Sequence, residues 1–338
     1  MVIYATIIGF FAVLRKKASE QSHVLFVVAM YSTIGFLLIS WTAGQAIDVS
    51  SGELGLILLK SFIIALSWML ELVALKNYMI SSLQPISAIK VIIGFFASTI
   101  IFHEANGWWR YIGVAIVFIG LILLNRYDAM AEKKKIKQEL SKSSEFSHSN
   151  SFINDATLGN KDAIIVKSEI PKTYQSEYYK TISLLEEAKR YTRRKRILAI
   201  VCFVVSCVLS ETSGMLDRFI MVQVTTSQMQ FWFMLFVSVL SWIFLLFVSI
   251  KNKQIPIKKS DWKNIYIYIT GAILVLGDRF LFTALTDPNV LVSGVSILKQ
   301  LSTVISVIVG ALIFKEPNLK RKIVYLIVIL TGIIIILI

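Results

Sequence analysis

The chain has 338 residues, 56% of them hydrophobic, with a mean hydropathy of +0.71 and a formal net charge of +14. Soluble domains sit near about 45–50% apolar with long polar faces, whereas here apolar runs of roughly 20 residues, the length that crosses a bilayer, recur along the chain. That excludes a soluble globular protein. The Lys and Arg lie mostly between the apolar runs, where a cytoplasmic membrane face wants them, so the basic charge points to no nucleic-acid partner.

Ten spans are predicted: 1–14, 24–43, 54–75, 83–102, 108–125, 197–217, 229–250, 264–286, 289–314 and 321–338. The start, "MVIYATIIGFFAVLRKK", carries its charges after the apolar stretch, and no small-residue cleavage site follows. That order is wrong for a secretory signal, so the segment reads as a short first span. The third span holds Lys60 near its outer end, within reach of snorkelling, and Glu71 deeper inside. The fourth, "QPISAIKVIIGFFASTIIF", takes Pro85 in its first turn and carries Lys90 well inside it. A Lys at the centre of a bilayer helix costs about 2.5–3.5 kcal/mol, which something must offset. Trp108, Trp109 and Tyr111 open the fifth span, and Trp262, Tyr266 and Tyr268 flank the start of the eighth, as interfacial anchors.

A polar insert, 126–196, separates spans five and six and holds sixteen Lys and Arg against ten Asp and Glu. Its Ser/Asn-rich middle has the composition of a disordered segment, its ends read as helical extensions of the flanking spans, and its charge suits anionic lipid headgroups. Beyond it, Cys202 and Cys207 are small packing residues that say nothing of redox compartment. Gln228, Gln230 and Trp232 are expected at the interface. Asp287 and Pro288 read as an N-cap followed by proline at the first helical position. Gly94, Gly113, Gly120, Gly294 and Gly310 allow close helix approach.

Loops one–two, three–four, seven–eight and nine–ten, with the insert, hold nearly all the interspan Lys and Arg; the alternate loops hold Arg110 and Arg218. The positive-inside rule then places the first set and the insert in the cytoplasm and both termini outside.

The halves repeat. Phe102, Glu104 and Gly120 return as Phe314, Glu316 and Gly332, and Ala74–Leu75 returns as Ala284–Leu285. Five spans per half is odd, so the second copy runs inverted, the layout of many secondary transporters. The stretches "ALKNYMISSLQPISAIKVIIGFFASTIIFHEANGWWRYIGVAIVFIGLILL" and "FTALTDPNVLVSGVSILKQLSTVISVIVGALIFKEPNLKRKIVYLIVILTGIIIIL" resemble the EamA domain of the drug/metabolite transporter superfamily. The recurring element is Ala-Leu ending one helix, a small-residue-rich helix ending in Phe-x-Glu, a turn, then a helix closing with Gly before a Leu/Ile run. It covers spans three to five and eight to ten; the other spans match by hydrophobicity.

The resemblance implies an all-α integral membrane protein of ten transmembrane helices in two inverted five-helix repeats, 1–125 and 197–338, around a central cavity. It also implies a multi-pass permease of a bacterial cytoplasmic membrane that moves a small polar, amino-acid-like metabolite, commonly outward, by alternating access. The insert is longer than the usual connection between repeats. Uptake, or exchange of a larger solute such as a nucleotide sugar, is the alternative within transport. A membrane scaffold, receptor or intramembrane enzyme is the alternative outside it. His23, His103 and His148 lie in or beside loops with no metal-ligand spacing, and no nucleophile elbow or phosphate-binding loop occurs. No catalytic set, metal or cofactor is expected.

Six ionisable residues lie away from the predicted span ends: Glu71, Lys90, Glu211, Asp278, Arg279 and Lys299. Glu71 and Lys90 fall about 7 and 12 Å from the cytoplasmic ends of their spans, and Asp278 and Lys299 roughly 21 and 16 Å, so the two sets straddle the midplane. They read either as structural pairs, Glu71–Lys90 and Asp278–Lys299, or as cavity groups that meet substrate or carry a coupling proton. Trp68, Ser87 and Thr303 share helix faces with Glu71, Lys90 and Lys299 and complete the candidate set. Glu104 and Glu316, beside turns, are assigned structural roles. In a Cys202→Ala, Cys207→Ala background, Ser149→Cys should react with an impermeant maleimide only once the cytoplasmic face is opened; labelling of intact cells overturns the orientation.

Overall fold

Hydrocarbon offers backbone groups no hydrogen-bond partner, so a chain that stays in it satisfies them within helices. The computed structural model describes residues 2–101, 107–145, 172–253, 257–285, 292–316 and 319–337. Within these, the side chains at 2, 97–99, 101, 128–129, 132–145, 172–192, 218, 285, 292–301 and 337 fall outside the description. Among the described residues there is no strand.

The long helices are α1 (Val2–Gln21), α2 (Val24–Ile39), α3 (Ser51–Asn77), α4 (Ile89–Ile101), α5 (Trp108–Glu145), α6 (Lys172–Met221), α7 (Thr226–Asn252), α8 (Ile265–Leu285), α9 (Val292–Ile313) and α10 (Leu319–Leu337). Short helical turns continue α2 to Ala46, and Ile80–Leu83 with the 3-10 stretch Gln84–Ala88 lead into α4. Among the described residues, six segments are long and apolar enough to cross a membrane: Val24–Ala46, Ser51–Asn77, Trp108–Tyr127, Arg193–Met221, Thr226–Asn252 and Ile265–Ala284. Reciprocal capping boxes start two of them, Ser50 with Glu53 on α3 and Thr225 with Gln228 on α7.

Two compact units result. One is 1–121 with 198–338; the other, 122–197, comprises the helical extensions of α5 and α6, where Arg196 Nη2 donates to Asn125 O at 2.8 Å and Oδ1 at 2.6 Å. The predicted Ser/Asn-rich middle of the insert, Glu104 and the Asp287–Pro288 cap lie outside the described residues.

In the larger unit α1 packs on α8 and α9, and α2 on α7 and α8. Small residues permit this closeness. A Cβ on Gly271 of α8 would stand 2.8 Å from Tyr31 O of α2, and one on Gly113 of α5 would stand 2.7 Å from Gly332 O of α10. Polar contacts add to the packing: Trp242 Nε1 donates to Thr33 Oγ1 at 2.9 Å, and Ser67 Oγ to Ser206 O at 2.9 Å. Cys202 and Cys207 are free thiols, as packing residues would be.

Two expectations change. The first helix runs to Gln21 rather than stopping at Leu14, because Arg15 and Lys16 find partners inside the fold and need not reach water. Gln230 is fully buried, not interfacial; its Nε2 donates to Val275 O at 2.8 Å. Gln228 and Trp232 reach back to the α2–α3 connection, donating to Asp48 O at 2.5 Å and Ala46 O at 2.8 Å. Trp108, Trp109, Tyr111, Trp262 and Tyr268 are exposed, as anchors require.

At the opposite end, four connections meet. Asn264 Nδ2 donates to Ala18 O and Ser22 Oγ, both at 3.0 Å, and Lys16 Nζ to Tyr78 O at 3.3 Å. Glu316 accepts from Lys16 Nζ at 3.1 Å, Ile80 N at 2.8 Å, Ser81 N at 3.0 Å and the Ser81 hydroxyl. It thereby caps the turn Ile80–Leu83, whose own N-cap, Met79, makes no side-chain cap. Lys322 Nζ completes the cluster, donating to Ser81 Oγ and Ser82 Oγ at 2.8 Å.

Burial alone would raise the Glu316 carboxyl, but Lys16 beside it and the donors from Ser81 and Ile80 hold it below the usual carboxylate range. Burial wins at Lys16, drawing its ammonium below the usual lysine range despite Glu316. The carboxylate, with four donors, is the better satisfied partner. Its depressed folded-state value makes its contribution complete above the ordinary carboxylate range and lost as pH falls through the depressed one. Glu316→Gln should therefore lower the melting temperature of the detergent-solubilised protein more at pH 7 than at pH 3; an equal loss at both overturns this.

Candidate functional site

The larger unit holds a partly open cavity of about 180 Å³. Helical periodicity brings polar groups to it in stripes. On α1, Tyr4, Ile8, Phe11, Ala12 and Arg15 recur at the i, i+4, i+7, i+8, i+11 spacing of one face, and on α3 Lys60, Ile64, Trp68 and Glu71 do the same. The stretch leading into α4 is a 3-10 helix, in which side chains three apart eclipse, so Gln84 and Ser87 line up, and Lys90 follows from the first turn of α4. Ser210, Glu211, Ser213, Gly214 and Asp217 come from α6, Leu274, Asp278, Leu281 and Phe282 from α8, and Ser302, Thr303 and Ser306 from α9. Phe233 of α7 completes the lining.

Among the described residues, two ion pairs brace this space. Arg15 Nη2 stands 2.5 Å from Glu71 Oε1, with the guanidinium 4.6 Å from the Phe11 ring centroid. About 16 Å away along α3, three turns on the same face, Lys60 Nζ stands 2.8 Å from Asp217 Oδ1. That ammonium also lies 3.6 Å from the Phe233 centroid and 5.2 Å from that of Phe282. Cation–π contacts of this kind contribute about 0.5–2 kcal/mol. Edge-to-face rings connect the two pairs, with Phe11 to Trp68 at 6.5 Å, Trp68 to Phe233 at 6.1 Å and Phe233 to Phe282 at 6.1 Å. Between them Lys90 Nζ donates to Ser210 Oγ at 3.1 Å, and Ser87 and Thr303 hydroxyls meet at 2.9 Å. Glu211 Oε1 approaches to 3.0 Å of where a Cβ on Gly94 would stand, so that glycine makes room for the acid beside α4.

Of the residues singled out from sequence, Trp68, Glu71, Ser87, Lys90, Glu211, Asp278 and Thr303 line this one cavity. Arg279 is not among the lining residues; its Nη1 donates to Ser227 Oγ at 3.2 Å. The side chain of Lys299 lies outside the described residues, and with it the expected Asp278–Lys299 pair. Of the two readings, the Glu71–Lys90 ion pair is not the one formed: Glu71 pairs with Arg15, which the longer α1 carries to the acid. Lys60 does not snorkel: it is 2% exposed and points at Asp217.

Sequence reasoning left out Arg15, Lys60, Gln84 and Asp217. The legible signal was the eleven-residue spacing of Lys60 from Glu71, which puts both on one face of α3.

The family profile of EamA-like transporters matches residues 1–126 and 197–338. The chain belongs to the EamA-like transporter family. Comparison with curated proteins gives no match. Membership makes this a multi-pass membrane transporter of the drug/metabolite type, and the match passes over the polar insert that separates its two regions.

Removing one partner of a buried ion pair leaves a charge without compensation and costs about 3–5 kcal/mol, whereas replacing both with apolar groups costs far less. Arg15→Met and Glu71→Met should each destabilise strongly. The double variant should regain most of the loss in a double-mutant cycle read by thermal unfolding, and additive losses would show that the pair is not coupled.

Proposed function

We propose that this family member is a secondary transporter whose ten helices form two inverted five-helix repeats, and that it exports a small polar, amino-acid-like metabolite across the cytoplasmic membrane by alternating access. The observation that carries the reading is the cavity itself. A space at membrane depth lined by Arg15, Lys60, Lys90, Glu71, Glu211, Asp217 and Asp278 is costly to keep unless it serves a polar solute. Its volume is below the roughly 300–1,000 Å³ of drug-sized sites, which favours a small metabolite over a nucleotide sugar.

Contacts between α5 and α10 support the inverted repeat. A Cβ on Gly120 would meet Ile329 Cγ1 at 2.7 Å, and one on Gly332 would meet Val117 Cγ2 at 2.8 Å. Each contact is the other's counterpart when the halves are superposed in sequence by the shift that relates Gly120 to Gly332. Such reciprocity is what a twofold axis between these helices produces. The gathering of the four basic connections at one end, through Lys16, Asn264, Glu316 and Lys322, supports a cytoplasmic assignment for that end and for the insert. Both termini are then outside, and the basic insert lies near anionic headgroups.

The test is reconstitution in liposomes with a defined metabolite mixture outside and mass-spectrometric reading of what accumulates, with and without a pH gradient. Saturable uptake of one class of compound is expected, reduced at least tenfold by Lys90→Met. Uptake that is not saturable, or none by folded protein, refutes the proposal, and covalent conversion of a compound would point to an enzyme.

A further inference from the structure

The cavity contains hydrogen-bond donors that the chain itself leaves without acceptors. Arg15 is 2% exposed; Glu71 engages its Nη2 and the Tyr31 hydroxyl stands beside the guanidinium as one further acceptor, but Nε and Nη1 have more N–H groups than that hydroxyl can take, and neither makes a well-formed hydrogen bond among the described residues. Gln84 is 6% exposed and its Nε2 is likewise without an acceptor. Both residues line the cavity. A buried donor without an acceptor costs about 1–3 kcal/mol, and more when it is charged. Lys90 has Ser210 as a partner, and Ser87 has Thr303.

We propose that Arg15 and Gln84 form a donor corner that receives the carboxylate of the solute, a specificity determinant resting on the transporter reading above. A guanidinium presents its N–H groups in a rigid planar fork that matches a carboxylate, and a primary amide supplies one further N–H. The fork is held in place. Glu71 fixes one terminal nitrogen, Phe11 lies 4.6 Å from the guanidinium, and Phe11 is itself held edge-on by Tyr31 at 5.9 Å and Trp68 at 6.5 Å. Little side-chain freedom remains to be lost when a ligand arrives.

The charge around the corner narrows the class. The described lining residues hold four acids, Glu71, Glu211, Asp217 and Asp278, against three bases, Arg15, Lys60 and Lys90. An acid-rich surround disfavours a phosphate dianion and admits a single carboxylate, best on a solute that carries a positive or neutral group elsewhere.

The test pairs carboxylates with their primary amides, which keep size and shape but lose the charge and one acceptor oxygen. The probes are the twenty proteinogenic amino acids, acetate, lactate and pyruvate, each beside its amide. Binding to the protein in lipid nanodiscs is read by thermal shift, and uptake by the same protein in liposomes. At least one carboxylate should bind tenfold or more tighter than its amide, and Arg15→Lys and Gln84→Leu should each cut that ratio at least fivefold. Gln84→Leu strands no charge, so it keeps the test decisive if Arg15→Lys does not fold. Equal affinity for acid and amide, no carboxylate bound by folded protein, or an unchanged ratio in both variants overturns the proposal and leaves the donors to water. Carboxylate-selective binding without uptake upholds the corner and refutes transport; uptake without that selectivity does the reverse.

Discussion

Charge in a medium of low dielectric is the constraint around which this structure is arranged. An isolated Lys or Arg at membrane depth costs several kcal/mol, and the fold meets that cost at Arg15 and Lys60 by bringing an acid from a different helix to each. α3 shows it most plainly. Lys60 meets Asp217 of α6, and Glu71 meets Arg15 of α1. Two contacts on one helix face thus tie the first, third and sixth helices around a common space, which hydrophobic packing alone has no means of specifying, since lipid tails are as apolar as Leu.

The aromatic residues between the pairs make the arrangement tolerable rather than merely possible. Phe11 and Phe233 each present a ring face to a buried cation, and Trp68 joins them edge to face. The rings exclude lipid from the charges and add cation–π attraction where an aliphatic wall would add none. What remains for a solute is a small space with fixed dipoles and ions already oriented. A polar solute entering it would exchange water for preorganised partners.

The Glu316 cluster obeys the same rule at the end of the bundle. One carboxylate satisfies the open N–H groups of a helical turn more than two hundred positions away in sequence, and two lysines close the remainder. The turn between α9 and α10 is thereby fastened to the entry of α4, where the 3-10 stretch brings Gln84 and Ser87 to the cavity and the first turn of α4 brings Lys90.

Much was legible in the sequence. Hydropathy marks the helices because a segment in hydrocarbon must be both apolar and long, and the two copies of the Phe-x-Glu element carry the family. Intramembrane acids and bases pointed to a cavity, since such residues have few other reasons to persist, and Glu71, Lys90, Glu211 and Asp278 do face one. Partnership was not legible. Arg15 looked like the charge that ends a helix and Lys60 like one that snorkels, because a sequence reports how far a residue lies from an apolar boundary and not what stands opposite it. Only the packing of α1 and α6 against α3 decides that both charges turn inward, since an ion pair is formed by residues distant in the chain and close in space.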